Sequence, residues 1–468
     1  MRCYAFLFLV ILTIEEKNNI MKKIVSLTLV FLLVVILLIF WSIVNSGYDR
    51  QNKYILFLKK IIPSHTARKV RDTVFFIPDL KKRNEFLDLQ VKKYEQGLEG
   101  KLFKKTNLKS SNNKNFEIKE FFLPFPRLDT RLGWAATENS KRAHYLEIID
   151  DKILVISGVG QTIFFKKENI NSDQLNQINI PNNIKSFLDK KNYKLIGIRD
   201  LFVDGKHVYI SLQHKDQKGF TINVYRAKLN FEKLIFEQFF LTNEYWPEYN
   251  VFSGGRIENY KDNKILFSIG YANIDKVAQD KNSLLGKIIS IDKTTSQHDL
   301  ISIGHRNPQG LFYQSSKNII INTEHGPKGG DEINFNFHKK DNLPNYGWDI
   351  ASYGSPYVGE DKFKKSHKDY GFEEPFKNYT PSIGISEIQS LSNDEYSFVN
   401  KNSLFVSSLR AGSIYILDTD EDFKEIISED RLFFKEQRIR DIEFDEEYKL
   451  FFALFEYTPS IGVIKQLN

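Results

Sequence analysis

From about residue 120 to the end at 468, short apolar segments alternate with tight-turn signals, and few stretches show helical spacing. Segments 145–149 and 153–157, 207–212 and 220–227, 265–270 and 286–291 are five to eight residues long and rich in Val, Ile, Phe and Tyr. Further segments follow at 318–322, 403–407, 413–418, 450–454 and 461–466. Asp150-Asp151, Asp204-Gly205 and Asp262-Asn263 supply hairpin turns between them. Close to 350 residues of short strands is too long for a single sandwich and suits radial repetition of four-stranded blades. At about 50–60 residues per blade this length predicts six blades. The blades are not alike enough in sequence to be counted directly.

The N-terminal part reads differently. Residues 24–44 form an uncharged run of 21 residues, long enough to span a bilayer as a helix. The run exceeds the apolar region of a cleaved signal, and no A-x-A site follows Trp41. Met21 is the expected start, and Lys22 and Lys23 place the N-terminus in the cytoplasm. Residues 1–45 are thus expected to be a membrane anchor, 46–119 a basic helical stalk ending in a polar linker at 106–115, and 120–468 the propeller. The fold class expected is all-β: a six-bladed β-propeller preceded by a transmembrane helix and a helical stalk. The expected location is the inner (cytoplasmic) membrane, single-pass, with the main domain in the periplasm or another extracytoplasmic space. Charge follows the same division: +9 over residues 46–120, +2 over 1–45, and −4 for the rest. The main body therefore lacks the electrostatic footprint of a nucleic-acid partner, and the basic stalk suits anionic lipid. The single cysteine, Cys3, excludes a disulfide framework, a Cys-rich zinc site and a Cys-ligated cluster.

Chemistry concentrates in Gly304-His305-Arg306-Asn307-Pro308-Gln309-Gly310, in Thr323-Glu324-His325-Gly326-Pro327-Lys328-Gly329-Gly330-Asp331-Glu332, and in Asn345-Tyr346-Gly347-Trp348. These are glycine-dense turns between apolar strands, where a rigid scaffold usually holds binding groups. Arg306 offers a planar fork for a carboxylate or quinone-type oxygen, and Asn307 both donates and accepts. A kink at Gly326-Pro327 can turn two carbonyls toward a hard cation such as Ca²⁺.

These motifs resemble the soluble quinoprotein glucose/aldose sugar dehydrogenases, the glucose/sorbosone dehydrogenase family, clearly from about residue 245 onward and weakly over 120–244. The resemblance implies a six-bladed propeller that binds pyrroloquinoline quinone (PQQ) and Ca²⁺. It assigns Arg306 and Asn307 to the quinone ring, and Gly326 and Pro327 to the Ca²⁺. Arg410, Arg438 and Arg440 fall to the cofactor's carboxylates.

At the position of the family's catalytic His, in a segment ending Gly-Arg-Leu, this chain reads Phe252-Ser253-Gly254-Gly255-Arg256-Ile257, with Val251 in place of the acidic partner. Phenylalanine cannot accept a proton. The family's substrate-positioning Gln has no clear counterpart; its register falls near Gly197-Ile198-Arg199-Asp200. Glu248 is the nearest substitute base in sequence. With the anchor read from residues 24–44, the resemblance thus implies a membrane-anchored dehydrogenase of an aldose, or of a related alcohol or aldehyde. Arg306 and Glu248 would be its catalytic groups, and an electron acceptor that the residues do not identify would complete it. The alternative is a non-catalytic envelope propeller that binds a sugar, cofactor or partner protein. An envelope scaffold that binds neither sugar nor cofactor would show Arg306, Arg410, Arg438 and Arg440 paired to protein carboxylates.

Overall fold

Continuous apolar runs such as Lys152–Ser157, His207–Lys215 and Lys264–Ile269 are second strands of blades, buried on both faces between neighbouring blades. The computed structural model describes residues 99–125, 142–261, 263–338, 343–392, 401–435 and 437–467. Five four-stranded antiparallel sheets and one five-stranded sheet make six blades, as expected from the strand spacing. Their innermost strands are His144–Ile149, Lys194–Val203, Gly254–Tyr260, Pro308–Gln314, Ile385–Leu391 and Ile439–Asp445, defining blades 1 to 6 in chain order. Each inner strand lies against the next, and that of blade 6 against that of blade 1, so the ring closes. Hydrophobic layers fill the interfaces between blades; Leu154, Ile156, Ile198 and Ile210, for example, join blades 1 and 2.

Blade 6 is built from both ends of the described chain. Three strands, Ile439–Asp445, Leu450–Phe455 and Ser460–Leu467, are completed by Asn115–Phe122, with Phe122 opposite Ser460 and Asn115 opposite Leu467. Leu102–Lys109 adds a fifth, edge strand. This corrects the expected linker at 106–115 and the domain start at 120: the propeller begins before both. Phe116, Ile118, Glu120 and Phe122 alternate inward on the inner of these two strands. On the outer one, exposed Lys104, Lys105 and Lys109 gave the segment its polar look, and lysines of this kind protect a free edge from further pairing. The anchor expected at 24–44 and the stalk up to residue 98 lie outside the described residues. Among the described residues, no helix is long and apolar enough to cross a membrane.

The inner strands carry charge because they face the propeller axis. Arg256 of blade 3 reaches across it: Nη1 lies 2.7 Å from Asp200 of blade 2, 2.7 Å from Glu387 of blade 5 and 2.9 Å from Asp441 of blade 6. Its Nε donates to the Gln309 carbonyl of blade 4 at 2.6 Å and Nη2 to the Arg440 carbonyl at 3.2 Å, while the Tyr145 ring of blade 1 lies 4.9 Å away. One buried side chain thus touches all five other blades. Burial alone would lower its pKa, but Glu387, Asp200 and Asp441 hold it well above the usual value.

Two residues further along their strands stand Glu147, Glu258 and Glu443, with Gln389 Nε2 3.2 Å from Glu443. Burial is the main cause that pushes these carboxyls up, Glu258 to about 8, and it lifts Asp200 in the hub to about 7. The folded state keeps these protons where the unfolded chain releases them, so stability falls as pH rises from the ordinary carboxyl range through 7 to 8. His144, His214 and His325, lowered by burial to about 4, act in the opposite sense only below the ordinary His value. Between about pH 6.5 and 8 the carboxyls dominate, opposed only at the upper end by Lys287, which burial lowers to about 8, and the thermal midpoint is expected to fall. Glu258→Gln should flatten that slope; an unchanged slope in this variant would show that Glu258 is ionised throughout.

Candidate active site

The beginnings of the inner strands converge above the hub. Asn307 Oδ1 accepts from the Gly254 amide at 3.2 Å, tying blade 4 to blade 3, and Arg440 Nη1 donates to Gln309 Oε1 at 2.9 Å, tying blade 6 to blade 4. Gly254, at φ 62°, makes this approach in a backbone conformation that disfavours a side chain.

Arg306 is buried. Its amide donates to Glu324 Oε2 at 2.7 Å and its Nη1 to the His325 carbonyl at 2.7 Å, so its direction is fixed from the backbone of blade 4. Three rings surround the guanidinium: Phe252 at 4.7 Å, Trp348 at 5.1 Å and Tyr271 at 5.8 Å. Phe252 therefore stands beside Arg306, where the resemblance places the base, but it supplies an apolar wall. The side chain next to it, Tyr271, is committed to Asn273 through its hydroxyl at 2.8 Å. Glu248 is not brought there: it is exposed on the loop before blade 3, and its described contact is its carbonyl with Asn250 Nδ2 at 3.3 Å.

Arg438 and Arg440 flank Ile439 and share one buried carboxylate, Glu456, at 2.8 and 2.7 Å. Burial alone would raise Glu456, but Arg440, Arg438 and Arg142 together hold it far below the carboxylate range. Half of the scaffold signature is therefore present. The other half is not: Arg306 faces a carbonyl, and Arg410 is exposed with no side-chain ion pair or hydrogen bond among the described residues. The Gly326-Pro327 turn is held by Asp331 Oδ1, which accepts from the Gly326 amide at 3.0 Å, while Ser382 Oγ lies 3.5 Å from the Pro327 carbonyl. Among the described residues, no group of three or more His, Cys, Asp or Glu is placed to hold a metal, so a cation here would depend on carbonyl donors.

Sequence reasoning missed one further guanidinium group. Arg142 stands just before the inner strand of blade 1, its pKa lowered by burial and next affected by Glu456. Glu456 was missed as well, because it meets Arg438 and Arg440 only through the pairing that sets Ile439 opposite Phe455.

The profile of the glucose/sorbosone dehydrogenase family matches residues 146–456. The chain belongs to this family. An uncharacterized protein, slr1608, of a Synechocystis strain is 29% identical over 271 residues, and the Escherichia coli aldose sugar dehydrogenase YliI is 28% identical over 207. These alignments cover 53% and 40% of this chain, but only 64% and 53% of the relatives' own lengths. A solved glucose dehydrogenase superposes with a TM-score of 0.58 at 20% identity, over 70% of this chain and 98% of that one. The PQQ-bound aldose sugar dehydrogenase of Streptomyces coelicolor gives 0.51 at 16%, over 75% and 98%. At these identities the two structures show a shared propeller.

The polar groups of the mouth fit the family's cofactor. Arg306 Nε, Arg142 Nε, Trp348 Nε1 and His325 Nε2 are buried without a hydrogen-bond partner. Buried donors of this kind call for an acceptor. Arg142, Arg306, Arg410, Arg438 and Arg440 bring five guanidinium groups to the mouth, and Glu456 is the one carboxylate ion-paired with any of them among the described residues. A guest with several carboxylates fits that arrangement.

Proposed function

We propose that this protein is a PQQ- and Ca²⁺-dependent dehydrogenase of an aldose or a related alcohol or aldehyde. In this reading it is anchored through residues 24–44, with its propeller outside the cytoplasm. The observation that carries the reading is the excess of guanidinium groups at the mouth, since isolated buried charges are costly and call for counter-charges. The PQQ-bound form of the Streptomyces coelicolor enzyme and the aldose activity for which the Escherichia coli relative is named support it.

When bound, the quinone takes up the two electrons lost by the substrate carbon. Arg306, held by His325 and Glu324, offers a fixed cation to an oxygen that gains charge. Arg410, Arg438 and Arg440 serve the cofactor's carboxylates, Asn307 its ring, and the Gly326 and Pro327 carbonyls the cation. Phe252, Tyr271 and Trp348 exclude water from one side of Arg306.

A second reading, a propeller that holds the cofactor or a sugar without turnover, is favoured by the same Phe252, because the ring that stands beside Arg306, where the resemblance places the base, takes up no proton. One titration separates these readings. PQQ is added to the purified chain with and without Ca²⁺, and the quinone absorbance and thermal midpoint are followed. Calcium-dependent binding with bleaching of an artificial acceptor on adding aldose supports the enzyme. Binding without bleaching supports the second reading, and absence of binding removes both cofactor readings. Arg410→Gln tests the cofactor platform cleanly, because Arg410 is exposed and ties nothing else down. It should weaken PQQ by about tenfold or more, in line with a lost charge-assisted hydrogen bond, with no change in the unfolding midpoint of the free protein.

A further inference from the structure

We propose that Lys287 is a resident cation: its ammonium fills a carbonyl site of the class that takes ammonium or K⁺. By filling it, Lys287 holds in place the turn that packs against the rings around Arg306. It is thus a positioning residue for the mouth, whether or not the mouth oxidises a sugar.

The site is built around the ammonium. Lys287 opens the third strand of blade 3, Lys287–Asp292, and is wholly buried. Its Nζ donates to the Leu285 carbonyl at 2.7 Å and to the Val277 and Ala278 carbonyls at 3.0 Å each. Three donors meet three acceptors, which is the full capacity of an ammonium. A water brings only two donors, and an apolar side chain brings none. Rings of carbonyls are also what replaces the hydration shell of K⁺. Val277 and Ala278 belong to one short helical turn, Val277–Gln279. Gly286, at φ 71°, lets that turn press onto the strand: a Cβ there would fall 2.5 Å from Ala278 Cβ.

A buried charge needs such partners, and here they are dipoles rather than an acid. Glu244 Oε1 already accepts from Ser283 Oγ at 2.9 Å and the Leu284 amide at 2.6 Å, and Asp280 Oδ1 accepts from the Asn282 amide at 2.9 Å. Burial draws the Lys287 pKa down to about 8, with Asp280 and Glu244 opposing, so the group is still a cation at pH 7.

The same turn belongs to the mouth. The Ala278 carbonyl also accepts from the Gly304 amide at 3.0 Å, and the Gly286 carbonyl accepts from the His305 amide at 3.1 Å, directly before Arg306. Gln279 Nε2 donates to the Trp348 carbonyl. Val277 and Ala278 pack in one apolar cluster with Phe252, Tyr271 and Trp348, the three rings around Arg306.

The test uses the full chain at pH 7. Lys287→Ala removes the ammonium with three methylenes, and n-propylammonium is offered in their place. Hydrogen exchange at the Gly304 and His305 amides reads the mouth, and the thermal midpoint reads the whole fold. Exchange should quicken about tenfold or more in the variant, in line with lost charge-assisted hydrogen bonds. Propylammonium should reverse this in a saturable way. At the same concentration tetramethylammonium, which has no N–H, and n-propanol, which has no charge, should not. Lys287→Met keeps the space filled without the cation and should show the same quickening. Equal rescue by all three additives, or by none, overturns the proposal, as does a methionine variant with wild-type exchange. An alanine variant that folds only with propylammonium supports the site. If it folds with no additive, the methionine variant decides alone.

Discussion

Arg256→Met should give a propeller less stable than the wild type by about 3–5 kcal/mol, the range for removing one partner from a buried ion pair. The size follows from the hub. Asp200, Glu387 and Asp441 converge on one guanidinium from three blades, each buried, and the same group closes the carbonyls of Gln309 and Arg440. Methionine fills much of the volume but leaves three carboxyls facing one another on the axis. They can escape by taking up protons, so the loss should be smaller at pH 5 than at pH 8. Replacing the three acids by their amides in the methionine background should recover part of the loss. The checks are urea unfolding midpoints at the two pH values. A loss below about 1 kcal/mol at pH 8 would place Arg256 with weak surface pairs and remove its role as the tie between blades.

The hub also explains what could be read from the sequence and what could not. The strands legible as apolar runs were chiefly second and third strands, such as 153–157, 265–270, 403–407 and 450–454, which are buried on both faces. Five inner strands escaped for one physical reason. Each shifts register against its neighbour close to a residue that faces the axis: Ile198/Asp200, Gly254/Ile257, Pro308/Gly310, Ile385/Ile388 and Ile439/Asp441. The bulge breaks the alternation by which a strand is recognised, and the exposed-looking charges of Asp200, Arg256, Glu387 and Asp441 are in fact buried.

The site divides in the same way. Arg306, Asn307, Arg438 and Arg440 were legible because a short motif carries them. Arg142 and Glu456 were not, since each enters the mouth through strand pairing or blade packing over a distance that no local pattern encodes. Glu248 misled because nearness in sequence to Phe252 is not nearness in space; its loop turns the carboxylate to solvent.

Phe252→His should raise aldose turnover of the PQQ- and Ca²⁺-loaded protein by about 100-fold or more, the usual contribution of a positioned general base. The backbone is ready for the exchange. The Phe252 amide donates to Asn250 Oδ1 at 3.0 Å, and its carbonyl accepts from the Ala272 amide at 3.0 Å, so a new side chain starts from a fixed point. Its ring lies 4.7 Å from the Arg306 guanidinium, which places an imidazole within reach of a substrate held by that arginine. The same closeness disfavours imidazolium, so the rate should fall off on the acid side below the ordinary histidine value of about 6.5. Val251→Asp added to this variant supplies an acidic partner and should move that fall-off upward, because a carboxylate stabilises the protonated ring. A base acts through its protonation state and a packing change does not, so the pH profile separates restored chemistry from a merely loosened mouth. If the histidine variant binds PQQ as tightly as the wild type and still turns over no sugar, proton abstraction is not what this mouth lacks. The reading without turnover would then stand, with Phe252 as part of the wall that holds Arg306 in place.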